Sequence, residues 1–235
     1  MTASPDSAIL RPSIFDRLPG IVAGFTTRAF APADEPREAT RRRLAEATGF
    51  GEIASVGQVH RADVVAVRAG GHTPEHDGLV TDKRGLLLTT VSADCALVLL
   101  ADAEAGIVGA CHSGWRGTVA GIVANAVGAM EALGASASQI RAYVAPCIST
   151  EAFEVGEEVA AQFSPSVVVR RPGWPRPHID LRADLARQLA ESGVPTSQTE
   201  LSRGCTMMEP DRFYSYRAQN GTPGRMLGFV GMRSE

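Results

Sequence analysis

The chain has 235 residues, 44% of them hydrophobic, and a formal net charge of −3 at pH 7. This length can bury one substantial core, so we expect a single soluble globular domain over residues 1–235. A sequence pI near 6.0 gives no general attraction to nucleic acid or anionic membranes. The sequence shows neither a secretion signal nor about 18 consecutive apolar residues. We therefore expect no nucleic-acid partner, no membrane association and a cytoplasmic location.

The first third of the chain predicts short strands around one helix. Prolines and short apolar patches predict an extended lead-in, because each proline removes a backbone donor and restricts its predecessor. Apolar runs bounded by turn residues predict strands, and a run of good helix formers predicts a helix. The predicted elements are the lead-in over 1–20, a strand at Ile21–Thr26, a helix over 38–48 that ends at Gly49, strands at Ala54–Val59 and Val64–Arg68, and a loop over 70–78.

The rest of the chain predicts further buried strands and three helices. Apolar residues at a spacing of three and four from Val119 to Leu133 predict an amphipathic helix after a glycine turn. Adjacent strands with few helices, and no GxGxxG motif, predict an α+β fold rather than a regular Rossmann alternation. The other predicted elements are strands at Gly85–Val91, Ala96–Ala101, Gly106–Cys111, Ile140–Ala145 and Phe229–Met232, a helix over Ser149–Gln162, and a helix capped by Asp180 that ends at Gly193.

Four polar or reactive residues stand at the ends of apolar segments. Asp94 and Cys95 interrupt VSADCALVLL, and an unpaired buried carboxylate is costly, so Asp94 must meet a donor, a cation or water. His60 ends one predicted strand and His112 ends another. Two imidazoles and one thiolate suit zinc and leave a fourth position for water or substrate. Their spacing alone does not specify a metal, and each residue taken singly also fits an ordinary structural role.

Seven motifs then follow one another from about Gly57 to the C-terminus. They are GQVH (57–60), HDGLVTD (76–82), SADC (92–95), HSGWRG (112–117), APCI (145–148), FEVG (153–156), and CTMMEPDRFYSYR with GR (205–217, 224–225). Together they resemble the laccase-domain family formerly called multicopper polyphenol oxidases. That family includes purine nucleoside phosphorylases and the bacterial peptidoglycan editing factor.

The resemblance implies a metal site and a fold. The family's zinc ligands fall on His60, Cys95 and His112. Members are similar to an α/β sandwich with a mixed sheet shared with toxin-type deamidases, which are cysteine hydrolases, and the catalytic pair of those enzymes falls on Cys95 and His112. A thiolate cannot readily be both a zinc ligand and a free nucleophile, so the two interpretations compete. Five histidines without a His-X-His element disfavour a multicopper oxidase.

The resemblance also implies a zinc-dependent enzyme that acts on purine nucleosides. The expected reactions are phosphorolysis of adenosine, inosine, guanosine and methylthioadenosine, together with deamination of adenosine. Asp94, Cys95 and Arg116 are the predicted catalytic residues. Guanidinium offers paired donors to an oxyanion, so Arg116 with Arg217 or Arg225 is predicted to hold phosphate. Tyr214 has two roles open to it: stacking on the base, or packing in the core.

Two other functions stay open at this point. The first is a peptidoglycan precursor editing amidase that removes misincorporated L-serine from UDP-MurNAc, for which the same zinc chemistry would suffice. The second is a non-catalytic zinc or nucleotide-binding module, although an open coordination position is typical of catalytic rather than structural zinc. The sequence leaves open the physiological substrate, the identity of the divalent metal, the phosphate-binding arginine and the oligomeric state.

Overall fold

Two six-stranded mixed sheets lie face to face in the computed structural model, which describes residues 8–221 and 224–234. Strands are numbered here in chain order. The first sheet runs β1 (Ile9–Leu10), β2 (Ile21–Thr26), β14 (Met226–Met232), β7 (Leu86–Ser92), β3 (Glu52–Val56) and β5 (Gly71–Thr73). The second runs β13 (Thr199–Leu201), β10 (Arg141–Val144), β8 (Ala96–Asp102), β9 (Ile107–Ser113), β6 (Gly78–Thr81) and β4 (Val64–Ala66).

Both sheets combine antiparallel pairs with parallel pairs. In the first sheet β7 pairs with β3, and β3 with β5, in parallel. In the second sheet the outer pairs β13–β10 and β6–β4 are parallel. A separate antiparallel ribbon joins β11 (Val168–Val169) to β12 (His178–Ile179). The mixed pairing confirms the predicted α+β class.

Helices cover the outer faces of the two sheets. The helix Arg37–Thr48 packs on the first sheet through Leu44, and the helices Ile122–Ala132 and Leu181–Glu191 pack on the second through residues such as Val123 and Leu185. No helix among the described residues is both long and apolar enough to cross a membrane. The helices are α1 (Arg37–Thr48), α2 (Trp115–Val119), α3 (Ile122–Ala132), α4 (Glu157–Ala160) and α5 (Leu181–Glu191), with short 3-10 turns at Ser13–Phe15, Ala137–Gln139, Pro165–Val167 and Thr196–Gln198.

The central core lies between the sheets because side chains alternate along each strand. Leu86 and Leu88 of β7 share one buried cluster with Leu97 and Leu99 of β8, whereas Leu87 belongs to the cluster under α1. Each fully buried side chain of this size stabilises the fold by about 1.5–3 kcal/mol. On β9 the same alternation turns Cys111 outwards into the helix-covered cluster.

Several predicted elements are confirmed with small shifts of their ends. Strand Ile21–Thr26 is found with those bounds, and α1 ends at Gly49, whose φ of 74° is left-handed. Asp180 caps α5 by accepting a hydrogen bond from the amide of Ala183 at 2.9 Å. The closing strand β14 is longer than predicted and lies inside the first sheet.

Other predicted elements are wrong or only partly right. The helix predicted over 119–133 is broken at Gly121, whose left-handed φ of 79° ends α2 before α3 begins. Only Glu157–Ala160 of the predicted helix Ser149–Gln162 is α-helical; the amide of Val155 instead donates to Pro177 O. The predicted loop over 70–78 contains β5, and the predicted lead-in contains β1. Residues 1–7 of that lead-in lie outside the described residues.

Candidate metal centre and active site

Three loop or strand-end residues bring their ligand atoms together at one end of the sheets. His60 lies in the loop after β3, Cys95 in the turn from β7 to β8, and His112 near the end of β9. One ligand atom from each lies within 4.8 Å of the other two. The two imidazoles meet edge to face, with ring centroids 4.8 Å apart. The structure therefore brings together all three of the predicted metal ligands.

This cluster fits a single metal ion. Zinc binds thiolate sulfur at about 2.3 Å and imidazole nitrogen at about 2.0–2.1 Å, so its ligands lie roughly 3.3–4 Å apart. The ligand atoms here lie at most 4.8 Å apart, so an ion would need to draw them together by only about 1 Å. Gly114 lines the cluster: a Cβ there would lie 2.7 Å from His60 Nδ1 and 3.2 Å from Cys95 Sγ. The glycine thus leaves room for the ligands.

Asp77 lies behind the two histidines and is fully buried. Its Oδ1 accepts a hydrogen bond from His112 Nδ1 at 2.8 Å and from the His60 amide at 3.0 Å. Its Oδ2 accepts from the amides of Val59 and Arg61. Because Asp77 occupies Nδ1 of His112, the other ring nitrogen is left for a metal.

These contacts shift the pKa values of the group. Burial alone would lower the pKa of His112, but the hydrogen bonds with Asp77 and Cys95 outweigh it and raise that pKa to about 9. Burial, followed by the neighbouring His112, lowers the pKa of His60. Burial favours a higher pKa for Asp77, but its hydrogen bonds with His112 and the Arg61 and His60 amides hold the pKa below the usual value.

A cavity of about 490 Å³ opens above the three ligands. One wall is apolar and is formed by Trp115, Ile148, Phe153 and Leu181. Ligand pockets of a few hundred Å³ with apolar walls and a few converging polar groups suit small organic molecules. The cavity therefore has the size and the lining of a binding site for a small organic molecule.

Three arginines line the same cavity. Arg217 donates to Glu154 O at 3.2 Å, and its guanidinium lies over the Phe153 ring. Arg225 lies over the Tyr216 ring, and burial together with the nearby charge of Arg37 lowers its pKa. Arg37 is the first residue of α1 and was not predicted. The three guanidinium groups give the cavity the chemistry of an anion site.

Arg116 is placed differently from the other predicted arginines. It is the second residue of α2 and is exposed, with its guanidinium 4.3 Å from the centroid of the Trp115 ring. It is not among the residues that line the cavity. Its charge still reaches the metal cluster, since it contributes to lowering the pKa of His60.

The structure places Tyr214 away from the cavity, in the core-packing role that the sequence left open. Tyr214 is buried in the core between the sheets, and its hydroxyl donates to Ala31 O at 2.8 Å. Tyr216, two residues later, is 57% exposed and lines the cavity. The loop that follows Cys205 turns Tyr214 inwards and Tyr216 outwards, which the motif alone does not reveal.

Asp94 lines the cavity, but its carboxylate is bound to the neighbouring loop. Oδ1 accepts from the Thr206 hydroxyl at 2.6 Å, and Oδ2 accepts from the Ser215 hydroxyl and the Arg217 amide at 3.0 and 2.7 Å. Asp94 has a φ of 100°, a left-handed conformation that costs a non-glycine residue about 1–3 kcal/mol. These hydrogen bonds hold that conformation and attach the Arg217 segment to the turn that carries Cys95.

The fold and the site together define a class of protein. In it, two mixed sheets lie between helices, and two histidines and one cysteine that could bind a metal lie at the base of a cavity large enough for a small substrate. The chain belongs to the multi-copper polyphenol oxidoreductase laccase family, whose family model matches residues 29–233. The family indicated by the sequence motifs is confirmed.

Individual relatives agree with this assignment. A purine nucleoside phosphorylase of Deinococcus radiodurans is 44% identical over 208 residues, which are 85% of this chain and 79% of that protein. The adenosine deaminase RL5, from an unknown prokaryotic organism, is 38% identical over 155 residues, 63% of this chain and 59% of that protein. The crystal structure of YlmD from Geobacillus stearothermophilus is 31% identical, has a TM-score of 0.86 and shares 97% coverage in both directions.

Proposed function

We propose that the protein is a zinc-dependent enzyme that cleaves adenosine, inosine, guanosine and methylthioadenosine with phosphate and also deaminates adenosine. The observation that carries the proposal is a single cavity in which three candidate metal ligands, an apolar wall and three arginines meet. The names of the relatives, purine nucleoside phosphorylase and adenosine deaminase, support purine nucleosides as the substrate class.

His60, Cys95 and His112 would hold the ion. A set of two nitrogens and one sulfur suits zinc, and three protein ligands leave one position open, as in catalytic sites. When bound, zinc supplies Lewis-acid polarisation of a substrate oxygen or nitrogen. In this proposal Cys95 acts as a ligand and not as the nucleophile of a cysteine hydrolase, because a metal-bound thiolate is not free to attack.

Phosphorolysis requires that a base and an oxyanion bind next to each other in the cavity. An oxygen of hydrogen phosphate forms a bond to the ribose C1′ while the C1′–nitrogen bond breaks. The departing base takes the electron pair and the proton that the hydrogen phosphate loses, which leaves ribose 1-phosphate. Arg37, Arg217 and Arg225 would bind the phosphate and offset its charge. The apolar wall and the ring of Tyr216 would hold the base, which fixes the reacting atoms relative to each other.

Asp94 would contribute by orienting the segment that carries Arg217. Both of its oxygens accept hydrogen bonds from the loop of Thr206, Ser215 and Arg217, so the carboxylate sets where the Arg217 segment lies. Arg116 would act at longer range, through its charge near His60. This division assigns phosphate binding to the arginines that line the cavity.

The test is an assay of purified protein on adenosine with and without phosphate and with and without a chelator. We expect adenine and ribose 1-phosphate to form only with phosphate, and chelation to stop both this reaction and inosine formation. His60→Ala should lose activity, whereas His72→Ala, which changes an exposed histidine outside the cavity, should retain it. Full activity in His60→Ala would overturn the ligand assignment. Serine release from a UDP-linked precursor, without phosphate, would point to the editing amidase instead.

A further inference from the structure

One buried carboxylate joins the two segments that carry histidine ligands. Asp77 accepts four hydrogen bonds through its side chain, one from the His112 ring and three from the consecutive amides of Val59, His60 and Arg61. Its own backbone takes part as well, since Asp77 O accepts from the His112 amide at 2.7 Å. The loop of His60 and the strand of His112 are thus tied to a single residue.

The backbone around His60 is shaped to receive this carboxylate. Gln58 and His60 have left-handed φ values of 54° and 61°. Such turns direct successive N–H groups to one point and form a nest for an anion. The Gln58 side chain fixes the start of the nest, because it both donates to and accepts from the Val91 backbone at 2.7 Å. Here the anion in the nest is Asp77.

We propose that Asp77 is a positioning residue that fixes both histidine ligands of the metal centre with one carboxylate. The inference rests on the proposed metal site. Asp77 holds the proton of His112 on Nδ1 and so presents Nε2 to the ion, and it holds the loop conformation that places the His60 ring beside Cys95. A ligand set prearranged in this way binds metal more tightly than one that must reorganise.

The chain contains a matched control for a purely structural role. Asp102, at the far end of β8, is also buried, with 2% exposure, and accepts three backbone hydrogen bonds, from the amides of Glu104, Ala105 and Ser136. None of these partners is a candidate ligand. Asp77→Asn and Asp102→Asn therefore both remove a buried carboxylate of the same volume, but only the first changes partners of His60 and His112.

The experiment measures Zn²⁺ affinity by competition with a chromogenic chelator in the wild type and both variants. We expect one Zn²⁺ per chain in the wild type, an affinity about 10–100-fold lower in Asp77→Asn, and a wild-type affinity in Asp102→Asn. Substitution with Co²⁺ adds a spectroscopic signature: the visible bands should change in Asp77→Asn only. Wild-type affinity and bands in Asp77→Asn would overturn the inference while leaving the metal site intact. Equal losses in the two variants would overturn it as well.

Two further outcomes are separated by the same design. A wild-type protein that binds no Zn²⁺ would refute the proposed metal site and this inference with it. If Asp77→Asn fails to fold, the ¹⁵N shifts of the histidines in the Zn²⁺-loaded wild type decide: the inference requires a protonated Nδ1 and a metal-bound Nε2 in His112. The opposite tautomer would overturn it.

Discussion

Gly114→Ala should weaken metal binding without weakening the fold. Gly114 has φ −66° and ψ 163°, which alanine adopts without strain. Loss of unfolded-chain freedom favours alanine by about 0.4–1 kcal/mol, and the poorer N-cap offsets this. We therefore expect the free energy of unfolding of the metal-free protein to change by less than about 1 kcal/mol.

The effect should instead fall on the ligands. The new Cβ would lie 2.7 Å from His60 Nδ1, whereas ordinary contacts begin at 3.4 Å. Because His60 is exposed, its ring can retreat by the missing distance of about 0.7 Å, but metal–ligand bonds tolerate only about 0.2 Å. A tenfold loss of Zn²⁺ affinity corresponds to about 1.4 kcal/mol, and we expect at least that much.

The assay combines Zn²⁺ competition with thermal unfolding of the metal-free protein. Gly128→Ala is the matched control, because Gly128 lies within α3 and a Cβ there meets nothing within 4 Å. It should raise stability by up to about 1 kcal/mol and leave affinity unchanged. Wild-type Zn²⁺ affinity in Gly114→Ala would refute the placement of His60 in the metal centre.

Three further predictions concern the thiols and the cavity. Cys95 is the most exposed of four free cysteines, so a thiol reagent should modify one group quickly in the metal-free protein and none after addition of equimolar Zn²⁺; rapid modification of several thiols would contradict this. Arg217→Lys keeps the charge but loses paired donation, and it should raise the KM for phosphate about tenfold with a smaller change for the nucleoside; an unchanged KM for phosphate would exclude this role. Tyr216→Ala should raise the KM for the nucleoside. Tyr214→Phe should leave that KM unchanged and lower the free energy of unfolding by about 1 kcal/mol, because the hydrogen bond to Ala31 O is lost. If kinetics and thermal unfolding show the opposite pattern, Tyr214 and not Tyr216 contacts the nucleoside.

The three ligands could be predicted from the sequence because their chemistry is unusual for their positions. A cysteine beside an aspartate in an apolar run and histidines at strand ends are costly unless they are used. Their spacing in the sequence does not predict that they converge. The loop after β3, the β7–β8 turn and the end of β9 come together only because distant strands pair within each sheet and the two sheets pack face to face. The motif resemblance supplied the missing link between them.

Residues whose role depends on where the fold places them, and not on an unusual residue type, were harder to predict. Asp77 lies beside Gly78, a position typical of a turn cap, and nothing in the sequence indicates that its carboxylate also accepts from the Arg61 amide and the His112 ring. Arg37 lies far from every motif and reaches the cavity only because α1 packs on the first sheet. Tyr214 and Tyr216 have the same chemistry, and only the path of the loop decides which one is buried.

The Ser149–Gln162 segment shows how tertiary contacts override local preference. Its alanines and glutamates favour a helix, but Phe153 and Val155 bury their side chains in a cluster beside the cavity. An extended backbone pairs Glu154 with His178, which satisfies backbone groups that a helix would satisfy internally. The gain from burying two large side chains, about 1.5–3 kcal/mol each, exceeds propensity differences of at most about 0.7 kcal/mol per residue.

Two buried carboxylates divide the organisation of the site between them. Asp77 fixes the histidines, and Asp94 attaches the Arg217 loop to the turn that carries Cys95. Cys95 follows Asp94 directly, so the candidate metal ligand and the residue that holds the Arg217 loop are joined by one peptide bond. A change at either residue can therefore reach the other through this turn, whose strained conformation at Asp94 persists only while its hydrogen bonds last. In the proposed enzyme, the spacing between the candidate metal ligand Cys95 and the Arg217 segment thus depends on the three-residue connection from β7 to β8.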